Sequence, residues 1–215
     1  MALGTPLPPP RAARRAPSAL ATPLALLLLA LALGVDLVAA LLPWFALRGG
    51  DPIPDAQALA ASVLSLLVGA GVAATVGRGV LRRLLAAGTV VAAIPLHVAF
   101  WFVTSRGPLR PDTIDEAQVM VVVQQVVIGT ILVAAWGIAR RQGAWWWLPL
   151  PLVAVLATAQ YLVREPVNRV VQDLADGTGE PILAIGALSW AWAVVPMLVT
   201  GIACWLVDLA RPAHG

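Results

Sequence analysis

The stretch "ALGVDLVAALLPWF", Ala32 to Phe45, lies inside an apolar run from Leu24 to Leu47 that only Asp36 interrupts. The length of the run decides the solvent. About 20 apolar residues cross a bilayer as a helix, whereas the apolar core of a secretory leader has about 7–15. The run therefore reads as an uncleaved first transmembrane helix. Its aspartate sits about twelve residues from the start, or roughly 18 Å along a helix rising 1.5 Å per residue. In a hydrocarbon core about 30 Å thick, that is just past the midplane. A carboxylate there must face the interior of a bundle and needs a partner or a proton.

Composition extends this reading to the whole chain. The 215 residues are 60% hydrophobic and 12% charged, and the mean hydropathy is +0.87. Soluble domains carry about 25% charged residues. Five further apolar runs, at 57–77, 84–104, 117–139, 144–163 and 182–207, match the first in length. None shows the alternation of a membrane barrel strand. The expected fold is an all-α integral membrane bundle of six transmembrane helices. Residues 19–209 form the bundle, 1–18 a flexible cytoplasmic tail and 210–215 a short cytoplasmic tail.

Charge orients the spans. Arg11, Arg14, Arg15, Arg78, Arg82, Arg83, Arg140, Arg141 and Arg211 fall on one side of six crossings. Arg48, Arg106, Arg110, Arg164 and Arg169 fall on the other, with nine acids, while Asp208 is the sole acid of the first side. The positive-inside rule makes the arginine-rich side cytoplasmic and places both termini there. It also accounts for a pI near 10.4 without nucleic acid. All 14 basic residues are Arg, which with abundant Ala suggests a GC-rich bacterial genome and hence a bacterial plasma membrane. Trp44 and Trp101 fall near outer ends of spans. Trp136, Trp145 to Trp147 and Trp205 fall near inner ends, as interfacial indoles should.

The fifth loop, "REPVNRVVQDLADGTGEP", places Val167, Val170, Val171 and Leu174 at helical-face spacing, with Pro166 at a possible first position and Gly177 at a possible cap. A short amphipathic helix on the outer surface is expected between the fifth and sixth helices, as a seal, lid or interface. In the third loop, Asp112 or Thr113 can cap the fourth helix, with Asp115 and Glu116 at its positive end. Gly69 and Gly71 allow close helix contact in the second span. Pro95 and Pro196 are expected to kink the third span and interrupt the sixth.

Depth counting gives a candidate site. His97 lies about thirteen residues from the inner end of its span, and Gln124 and Gln125 about fifteen from theirs. Gln160 and Ser189 sit further out; Thr75, Thr89, Thr130, Thr200, Ser62 and Ser65 are assigned to the inner half or the middle. Asp36, His97, Gln124 and Gln125 thus form a candidate polar layer. It would either bind a proton or small solute, or fix helix packing by hydrogen bonds. No Walker A, HExxH, CxxC or GxSxG motif is present, and one cysteine, Cys204, rules out an internal disulfide. Neither a metal site nor a cofactor is expected. The chain is expected to act as a non-enzymatic accessory or structural subunit with a membrane-protein partner or as a homo-oligomer. The alternatives are a small proton-linked transporter or channel using Asp36, His97 and Gln124, and then an enzyme acting on a lipid carrier.

Overall fold

The computed structural model describes residues 21–46, 55–77, 79–105, 114–140, 143–176 and 181–210. Every regular element among them is helical: α1 (Ala21–Ala46), α2 (Asp55–Val76), α3 (Val80–Val91), α4 (Ala93–Ser105), α5 (Ile114–Arg140), α6 (Leu150–Asp176) and α7 (Pro181–Ala210). A 3-10 turn, Gly143–Trp147, precedes α6. Among the described residues, five spans are long and apolar enough to cross a membrane, and α1 adds a shorter apolar segment, Ala21–Leu37. Helices suit this solvent because they satisfy their backbone hydrogen bonds internally, where lipid offers no partner. The tails, the third loop with its proposed caps, and Gly177 lie outside the described residues.

Contacts define an up-and-down bundle. Asp36 meets Ser62, while Leu29 and Ala32 lie against Gly69, so α1 and α2 run antiparallel. Gly34 faces Val194 and Gly201 faces Ala30, so α1 and α7 are antiparallel too. Gly129 meets Met197 and Arg140 pairs with Asp208, so α5 and α7 run parallel. The core is formed by Leu29, Leu33, Leu37, Leu66, Val90, Leu132, Trp136 and Met197. The span of α5 is the most enclosed of those described, which makes it the central helix.

Three expectations change. The third span is two helices, α3 and α4, with a turn at Ala92. Pro95 is the third residue of α4, where its missing N–H would have no helical partner anyway, so the break spares a steric clash. The residues expected to form a separate surface helix instead continue α6 through Pro166. No breaker precedes that proline, and Arg169 pairs with Glu165 across it at 2.7 Å, so the helical register carries on. Pro196 likewise leaves α7 unbroken, and Thr200 Oγ1 donates to the Pro196 carbonyl at 2.8 Å.

Close approach separates the glycines. A Cβ on Gly34 would lie 3.1 Å from the Val194 backbone, and one on Gly69 would make ordinary contacts with Val90, Leu29 and Ala32. Gly71 faces open space within 4 Å, so it is no helix contact. The Trp146 side chain covers Gly137, while the exposed faces of Trp145 to Trp147 fit an interfacial anchor. Gly34→Ala is expected to lower the melting temperature in detergent, at a cost of about 1–3 kcal/mol from overpacking. Gly71→Ala is expected to raise it by up to about 1 kcal/mol through helix propensity. Thermal denaturation of the two variants checks both signs.

Candidate polar site in the bundle core

Four helices each supply one polar side chain to a continuous hydrogen-bonded chain. Asp36 comes from α1, Ser62 from α2, His97 from α4 and Gln124 from α5. The Ser62 hydroxyl donates to Asp36 Oδ1. Ser62 Oγ lies 2.8 Å from His97 Nε2, and Gln124 Nε2 lies 2.8 Å from His97 Nδ1. His97 Nδ1 is also 3.4 Å from Asp36 Oδ1. Asp36 and Ser62 have no exposure, and Gln124 and His97 have 4% and 5%. Ser65 steadies the centre by donating to the Ser62 carbonyl at 2.8 Å.

The hydrogen inventory sets the direction of the chain. Ser62 has one hydroxyl proton, and it goes to Asp36. His97 Nε2–H must then donate to Ser62 Oγ, which leaves Nδ1 to accept from the Gln124 amide. Imidazole is neutral in that arrangement. A second proton on His97 would turn Nδ1 into a donor, and Gln124 would have to turn its amide to present Oε1 instead. Both ends of the chain keep capacity, because Asp36 Oδ2 and Gln124 Oε1 have no hydrogen-bond partner among the described residues.

Asp36, His97 and Gln124 are therefore brought together, and Gln125 is not joined to them. One residue further along α5 turns a side chain by about 100°. Gln125 is 1% exposed, and its Oε1 has no partner among the described residues. It stands one turn from Gly129, which faces Val153 of α6 and Met197 of α7. Ser62 is the residue that sequence reasoning misplaced. It lies about as far from the inner end of its run as Gln124 does from its own, so the same depth count could have found it. Of the proposed surface residues, Val167 is half-buried and Val170 half-exposed. The side chains of Val171 and Leu174 lie outside the described residues.

A second polar feature closes the C-terminal ends of α5 and α7. Arg140 Nε and Nη2 both reach Asp208 Oδ2, at 3.0 and 2.6 Å, and the guanidinium lies 5.6 Å from the Trp136 ring centroid. Arg82 donates to the Ile138 carbonyl at 3.3 Å and Arg83 to the Gly77 carbonyl at 3.1 Å. These arginines tie helix ends together. Among the described residues no cluster of His, Cys, Asp and Glu is large enough to hold a metal ion.

Ser62→Ala is expected to cost about 1–3 kcal/mol, because it leaves Asp36 Oδ1 and His97 Nε2 without their shared hydroxyl. A double-mutant cycle of Ser62→Ala and His97→Ala should give a coupling of about 0.6–1.7 kcal/mol, the range for hydrogen bonds between membrane helices. Unfolding in detergent and denaturant measures both. At the other end, Arg140→Met should destabilise the fold more than Arg140→Met combined with Asp208→Leu, since the single change removes the guanidinium from a carboxylate that stays partly buried.

No protein-family model, curated protein or solved structure matches this chain, so the site is read from its own geometry.

Proposed function

We propose that the chain is a six-span protein of a bacterial plasma membrane, with both termini cytoplasmic, and that it works as a small proton-linked carrier or channel. The carrying observation is the chain from Asp36 through Ser62 to His97 and Gln124. It places a carboxyl group and an imidazole, the two groups most used for moving protons, one hydroxyl apart inside an apolar bundle. Each link is both donor and acceptor, so a proton taken up at His97 can be passed through Ser62 to Asp36. Asp36 Oδ1–H then donates to Ser62, Ser62 to Nε2, and Nδ1–H to Gln124 Oε1. Every donor in the chain has reversed.

The orientation draws support from charge. The ends of α5 and α7 that hold Arg140 and Asp208 lie near Arg82 and Arg83, as an inner surface would. The continuation of α6 past Pro166 suits the opposite surface, where Arg164 lies over Tyr161 at 3.9 Å and Glu165 pairs with Arg169.

A second reading, a non-enzymatic accessory subunit, is favoured by one feature: the same four polar groups staple four helices. Infrared difference spectra of the purified protein across about pH 5 to 9 separate the two. A carboxyl band that titrates and disappears in Asp36→Asn is expected. Spectra that do not change with pH would make the chain a packing device and leave the accessory reading standing. Native mass spectrometry would then seek a stoichiometric membrane partner.

A further inference from the structure

Beyond the chain itself, α5, α6 and α7 hold polar atoms that no described residue satisfies. Five of these are Oε1 of Gln118 and Gln125 on α5, Oε1 of Gln160 and Oδ1 of Asn168 on α6, and Nε1 of Trp192 on α7; a sixth, Trp136 Nε1, lies beyond Gly129 toward the other end of α5. Gln125 and Gln160 are 1% and 7% exposed. Each buried acceptor left unbonded costs about 1–3 kcal/mol, so several at one junction call for an occupant.

Helix rise orders them by depth. Gly129 of α5 meets Val153 of α6 and Met197 of α7, which sets a common level. Measured from it toward the N-terminal end of α5, Gln125 lies about 6 Å away, Trp192 about 8 Å and Gln160 about 10 Å, at 1.5 Å per residue. Gln160 Nε2 donates to the Trp192 carbonyl, which agrees with that levelling. Gln118 follows at about 16 Å and Asn168 at about 22 Å. Gln118 and Gln125 are seven residues apart and so share a face of α5. In depth these atoms run from the outer end of the bundle down to Gln125, the sequence neighbour of Gln124.

We infer that the junction of α5, α6 and α7 is a water-holding cleft, lined by Gln118, Gln125, Gln160 and Trp192, through which the outer face reaches the polar chain. The inference rests on the proton-linked reading and supplies the access that reading needs. Its occupant is neutral and both donates and accepts. Amide oxygens and an indole N–H offer no charge to hold an ion, and a buried water makes about three such bonds. A water beside Gln125 can donate to its Oε1 and to the open Oε1 of Gln124; once that amide turns and gives Oε1 to Nδ1–H, its N–H donates to the water instead. A proton from outside would reach His97 Nδ1 from such a water directly, while the Gln124 amide is turned away from the ring.

The test uses the full chain in vesicles, with Cys204 replaced by Ala and single cysteines introduced as Gln118→Cys, Gln125→Cys and Gln160→Cys. Leu132→Cys, on the dry part of α5, is the control. The probe is a small sulfonate-bearing methanethiosulfonate reagent added to the outer side, and melting curves confirm that each variant is folded. Labelling at 118, 125 and 160 at least about tenfold faster than at 132 is expected, since a dry site reacts only through local opening. Labelling at 118 alone, or equally slow labelling at 125, 160 and 132, would overturn the cleft. The proton-linked reading fails separately: a fast-labelling Gln125→Cys beside an infrared spectrum indifferent to Asp36→Asn keeps the cleft and removes the proton site.

Discussion

In an apolar solvent a carboxyl group has only the hydrogen-bond partners that its own protein brings to it, and this constraint organises the bundle around Asp36. The side chain is fully enclosed, and the Ser62 hydroxyl meets it. Ser62 in turn engages His97, and His97 engages Gln124. Four helices thus have their rotation about their own axes fixed by a polar requirement. Apolar side chains alone specify this poorly in lipid, where Leu packs against a neighbour and against acyl chains almost equally well.

The rest of the packing follows from that alignment. With Asp36 turned inward, the small residues of α1 meet their neighbours closely: Gly34 against Val194, Ala30 against Gly201. The break at Ala92 belongs to the same arrangement. A straight third span would carry Pro95 against its own preceding turn; two shorter helices let α4 present His97 between Ser62 and Gln124. At the far end, Arg140 and Asp208 lock α5 to α7 by a pair that is nearly enclosed and reinforced by Trp136.

The hydrogen-bonded chain has a direction, which under the proposed reading would let it carry a proton as well as hold helices together. A serine hydroxyl can donate only once, so with the Asp36 carboxylate accepting, the order of donors from Gln124 to Asp36 follows, and one added proton would reverse it from end to end. The open acceptors at Asp36 Oδ2 and Gln124 Oε1 show where such a change would be felt. Gln125, directed to another face, belongs to a second set of polar atoms on α5, α6 and α7 rather than to the chain.

The sequence by itself determined the solvent, the helical class and the approximate spans, because run length and hydropathy are local properties of the chain. It also marked Asp36, His97 and Gln124 at one depth, since rise per residue converts position into height. The count that found them applied equally to Ser62, which was assigned to the inner half or the middle rather than to their layer. What only the tertiary structure decided was the facing of each residue around its helix axis. Neighbouring residues differ by about 100°, so Gln124 and Gln125 look alike in sequence and serve different faces in space. The fate of the prolines was equally hidden. Pro166 and Pro196 sit within unbroken helices while the break near Pro95 falls at Ala92, because a proline's effect depends on whether neighbours can satisfy and accommodate the turn before it.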